Sequence, residues 1–78
     1  MDQLVALIAE CLRLPTQEIV PELSIDNSDA WDSLKHMELV LSIEQTFGIQ
    51  LTADEIVAMV SVGEIRRVLG EKGVLNTP

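Results

Sequence analysis

Seventy-eight residues make one small domain, 1–78, in which 13 acidic residues against 5 basic ones leave a net charge of −8. That balance excludes nucleic acid and anionic membranes and favours partners that carry a basic patch. One cysteine allows no internal disulfide, no Cys/His cluster reads as a metal site, and no apolar stretch approaches a membrane span, so the core must come from packed helices.

The first helix is predicted over Asp2–Leu14. Leu4, Val5, Leu7, Ile8, Cys11 and Leu12 form one apolar arc, with Asp2, Glu10 and Arg13 opposite and Pro15 as the stop. Cys11 lies in that arc and reads as a buried, inert core thiol. Residues 15–32 then form a long loop with Pro15, Pro21 and the acids Glu18, Glu22, Asp26, Asp29 and Asp32. Ile19, Val20, Leu23 and Ile25 are its expected anchors. The run Asp26-Asn27-Ser28-Asp29 invites a calcium reading, but Trp31 stands where an EF-hand loop needs Gly and Met37 where it needs Glu.

The second helix is predicted over Ser33–Phe47, with Gly48 as its stop. Thr52-Ala53-Asp54-Glu55 is a capping-box pattern that starts a short third helix over Ile56, Met59 and Val60. Ser61-Val62-Gly63-Glu64 repeats the pattern and starts a fourth, with core stripe Val62, Ile65, Val68 and Leu69, frayed at Gly70 and Gly73. The fold class is all-α: three principal helices, a short third one and a long first loop. The expected core joins Leu39, Ile43 and Phe47 to Ile8 and Ile65.

The second helix carries two apolar stripes. With Ser33 at zero and about 100° per residue, Leu39, Val40, Ile43 and Phe47 fall together at roughly 240–340° and face the core. Leu34, Met37 and Leu41 fall at roughly 40–100°, a second patch flanked by Glu38 and Glu44. That patch is either more core or a docking surface. Ser33 sits at its N-terminal end, on a rigid element, beside a helix end that favours a phosphate. No His/Asp pair is spaced to activate Ser33 as a nucleophile, which suits a serine modified by another protein and not a catalytic one. His36 reads as a partly covered side chain at the rim of the core, and Trp31 as a loop anchor.

Asp32-Ser33-Leu34 at the start of the second helix, with Glu38-Leu39-Val40, Phe47 and Ile49-Gln50-Leu51, resembles the acyl carrier protein family. The resemblance covers nearly the whole chain. It implies a non-catalytic carrier on which Ser33 holds a 4′-phosphopantetheine arm, drawn from coenzyme A by a phosphopantetheinyl transferase, with the cargo as a thioester on the arm. It makes Asp32 and Leu34 the neighbours of the attachment motif, and Leu34, Lys35, Met37, Glu38 and Leu41 the partner-binding residues. The implied partners are the transferase and acyl- or aminoacyl-loading and synthase enzymes with basic docking patches. An aminoacyl or peptidyl carrier, or an unmodified helical adaptor, would use the same surface. Lys35 and His36 depart from the acidic residues common in carriers for fatty acid synthesis and point to a specialised pathway, such as a polyketide or aminoacyl starter unit. A complete, free-standing, monomeric and cytoplasmic protein is expected.

Overall fold

The computed structural model describes residues 3–75 and gives four helices around one core: α1 Gln3–Leu12, α2 Ser33–Phe47, α3 Ala53–Ala58 and α4 Val62–Glu71. The all-α reading holds. α1 buries Leu4, Ile8, Ala9 and Leu12, α2 buries Leu39, Val40 and Ile43, and α4 buries Val62, Ile65, Val68 and Leu69. These spacings of three and four residues put each set on one helix face. Trp31 and Met59 complete the centre.

The helix boundaries have local causes. At α2, Asp32 is extended and its Oδ1 accepts the Lys35 N–H at 2.8 Å. At α3, the Thr52 hydroxyl accepts the Glu55 N–H and the Glu55 carboxylate accepts the Thr52 N–H, at 3.1 and 2.9 Å. At α4, Ser61 Oγ accepts the Glu64 N–H at 3.1 Å. Each bond satisfies an amide that a helix start would otherwise strand. The backbone bond from Thr52, together with Lys72 at 3.0 Å, holds the Glu55 carboxyl below the usual carboxylate range and ties α3 to α4.

Three helices end in the same way. Leu14, Ile49 and Val74 donate their N–H groups to the carbonyls of Ala9, Glu44 and Leu69, five residues back. Each donor's side chain folds onto the core. This closure needs a left-handed residue just before the donor. Gly48 supplies one with φ 66°, but α1 uses Arg13, with φ 59°.

The long loop is ordered by its own bonds. Thr16–Glu18 makes one 3₁₀ turn. Asn27 Oδ1 accepts the Ser24 N–H and its Nδ2 donates to the Glu22 carbonyl, both at 2.9 Å. An isolated antiparallel bridge pairs Ser24 with Ser61: Ile25 N–H reaches the Val60 carbonyl at 3.0 Å and Val62 N–H reaches the Leu23 carbonyl at 2.9 Å. A Cβ on Gly63 would meet the Pro21 carbonyl oxygen at 3.3 Å, so the loop packs closely on the start of α4.

Several expectations change. α1 ends at Leu12, because Arg13 turns the chain before Pro15 can, and Asp2 lies outside the described residues. Phe47 is only partly covered, since it closes α2 at the end of the bundle. Cys11 is half-buried at the edge of the α1 arc. Of the loop anchors, Ile19 is buried, Leu23 and Ile25 pack partly, and Val20 points outward. Val60 is exposed at the α3–α4 junction, where its backbone, not its side chain, holds the loop. Gly70 is inside α4, which runs on to Glu71.

Arg13 costs backbone strain where glycine would not. Arg13→Gly should raise stability by about 1 kcal/mol and the melting temperature by roughly 4–8 °C, read by thermal circular dichroism. A lower melting temperature would show that the Arg13 side chain contributes more than its backbone costs.

Candidate functional site

The start of α2 is built by its neighbours. Asp32 caps it, and the Asp32 carbonyl accepts the His36 N–H at 2.8 Å. Ser33 is the first helical residue and is exposed. Among the described residues no acceptor takes the Ser33 or Leu34 backbone N–H. The serine hydroxyl is therefore open, beside free amides at the positive end of a fifteen-residue helix. That setting fits a phosphate ester on the serine.

Leu34, Met37 and Leu41 are 70%, 47% and 55% exposed, so the second stripe is not more core. Its border differs from the sequence reading. Glu44 is engaged elsewhere: its Oε2 accepts the Leu51 N–H at 2.8 Å and so holds the connection to α3. Glu38 remains, paired with Lys35 at 3.7 Å. Lys35, Glu38, Ser42 and Thr46 line an open groove of about 500 Å³ against Leu7, Cys11 and Arg13 of the α1 region. Lys35 thus stands on the α1 side of α2, away from Leu34, Met37 and Leu41. Cys11 sits in this groove, and burial pushes its thiol up, which keeps it a poor nucleophile.

Two features escaped the sequence reading. Val57 on α3 is 74% exposed, a large apolar side chain that the periodicity of so short a helix did not place. The other is a side-chain clasp. Trp31, 1% exposed, donates its indole N–H to His36 Nδ1 at 3.1 Å, and the rings stack with centroids 6.0 Å apart. His36 Nε2 lies 2.9 Å from the Ile56 carbonyl oxygen. Trp31 precedes the cap and His36 is the fourth helical residue, the two positions that staple a helix start. That spacing was the available signal.

A sequence model of the phosphopantetheine attachment site matches residues 2–69. The chain belongs to the acyl carrier protein family. It is 33% identical over 61 residues to the acyl carrier protein of Acidothermus cellulolyticus, covering 78% of this chain and 73% of that one. To the acyl carrier protein of Helicobacter pylori strain G27 it is 30% identical over 60 residues, 77% of each chain. The solution NMR structure of holo acyl carrier protein from Geobacter metallireducens superposes with a TM-score of 0.73 at 25% identity, over 96% of this chain and 91% of that one.

Family membership makes this a carrier whose prosthetic group is phosphopantetheine and whose partners are synthase and transferase enzymes. No described helix is long and apolar enough to cross a membrane. The carrier's α2 start depends on the Asp32 cap, and Asp32→Ala should cost about 1 kcal/mol. Amide hydrogen exchange should speed up first at Lys35. Unchanged exchange there would show that the backbone alone holds this turn.

Proposed function

We propose that Ser33 is the attachment point of the phosphopantetheine arm and that residues 1–78 form one monomeric carrier domain without catalysis of its own. A phosphopantetheinyl transferase would load it. The Ser33 Oγ–phosphorus bond forms, the pyrophosphate bond of coenzyme A breaks, adenosine 3′,5′-bisphosphate leaves with the electron pair, and the hydroxyl proton passes to a base of the transferase. The arm's thiol then carries an acyl group as a thioester.

The observation that carries this reading is an exposed serine on the first turn of a capped helix, between Asp32 and Leu34, with unused amides beside it. Tethering serves delivery, because it holds the cargo at high effective concentration beside each partner. Leu34, Met37 and Leu41, with Glu38 at their border, are the proposed docking face. Lys35 on the α1 side would mark a partner of a specialised pathway in a cytoplasmic setting.

Incubation with coenzyme A and a broad transferase should add one arm to the intact mass, and Ser33→Ala should add none. An arm mapped to Ser28 or Ser42 would overturn the site.

The docking face has its own test. Met37→Ala and Leu41→Ala should leave the melting temperature nearly unchanged, because both side chains are exposed, yet slow cargo transfer from a partner enzyme. Glu38→Lys should slow it too, and less at high salt, since exposed charges are screened over about 8–10 Å. Parent-like transfer by all three would place docking elsewhere.

A further inference from the structure

The partners of His36 fix its chemistry. An indole N–H can only donate, so Nδ1 must be the bare, accepting nitrogen. A backbone carbonyl can only accept, so Nε2 must carry the proton and donate to Ile56. One neutral tautomer satisfies both contacts. The other tautomer would face donor with donor and acceptor with acceptor.

We propose that His36, held as its Nε2–H tautomer, is a positioning residue for the loading of Ser33: it clasps Trp31 to set the angle at which the chain enters α2, and it ties that angle to α3 through Ile56. The inference rests on Ser33 as the attachment point. Three observations carry it. Trp31 lies two residues before Ser33 and is buried, so its placement governs the backbone that delivers the serine. The pair occupies the two stapling positions around the Asp32 cap, where a packed contact fixes the path of the chain into a helix. Ile56 belongs to the short helix α3, and its carbonyl gives His36 a second anchor outside α2. Ser33 is thus held between a cap and a clasp.

His36 acts through Trp31 and the backbone and touches no reacting atom. Loosening the clasp should therefore lower the rate at which a bound serine reaches its attacking geometry, and leave binding of the domain to the transferase largely intact. Three variants separate the contacts. His36→Gln keeps a donor near the Nε2 position and loses the acceptor for Trp31. His36→Asn keeps an acceptor near Nδ1 and loses the bond to α3. Trp31→Phe keeps an aromatic ring and loses the indole N–H.

The experiment combines NMR with loading kinetics at a temperature where circular dichroism shows every variant folded. In the parent, long-range nitrogen–proton spectra should show a protonated Nε2 and a bare Nδ1, and the indole N–H should exchange slowly. Arm transfer from coenzyme A by a broad transferase should fall about tenfold in kcat, with KM little changed, for His36→Gln and Trp31→Phe, a loss within the range that misplacement of a reacting group produces. His36→Asn should stay within about threefold of the parent because the Trp31 contact survives. The Nδ1–H tautomer, or Gln and Phe variants loaded at the parent rate, overturns the inference. Failure of the parent to accept an arm overturns the Ser33 reading itself, a result distinct from loss of the clasp.

Discussion

The rest of the fold depends on α2 burying one stripe and not the other. Leu39, Val40 and Ile43 reach the centre, where Leu4 and Ile8 of α1 and Ile65 and Leu69 of α4 meet them. A chain of this length without a disulfide has little hydrophobic surface to spare, and leaving Leu34, Met37 and Leu41 in water forgoes part of it. The exposed stripe is therefore a cost that packing alone would not select. The open serine stands at one end of that stripe, so on the proposed reading a partner that reached an arm on Ser33 would meet this face as well.

With so small a core, helix ends carry more of the architecture than usual. Side-chain caps start α2, α3 and α4, and the same five-residue closure ends α1, α2 and α4. Each closure turns an apolar side chain, Leu14, Ile49 or Val74, back onto the core. A single device thus satisfies stranded carbonyls and adds buried surface. The acidic loop is held by the same economy. Its backbone pairs with residues 60–63 at the α3–α4 junction, so the loop, α3 and α4 are one bonded unit.

The clasp joins that unit to the serine. Trp31 belongs to the loop, His36 to α2 and Ile56 to α3, and two hydrogen bonds through one imidazole link all three. Such a link is sensitive to geometry, because a histidine that serves one donor and one acceptor has no spare orientation. Glu44 makes a second link of this kind further along α2, where its carboxylate takes the Leu51 amide. In both places a polar residue expected at the rim or on the surface turns out to hold α2 to the segment around α3.

The helices are legible in the chain, because their signals are local. Apolar residues at helical spacing, Thr52 and Ser61 at starts, and Gly48 at an end act within one or two turns, and the structure follows them closely. The position of Ser33 at a helix start beside an exposed apolar stripe was legible for the same reason. The ending of α1 was not, because a left-handed arginine violates the local preference that makes such endings readable. The roles of residues whose partners are distant in sequence emerge with the folded chain. His36 finds Ile56 twenty residues away and Glu44 finds Leu51 across a turn. Lys35 is carried to the α1 side by the packing of α1 on α2. A helical wheel gives the direction of a side chain but not what stands there, and what stands there decides whether a polar residue is surface, cap or clasp.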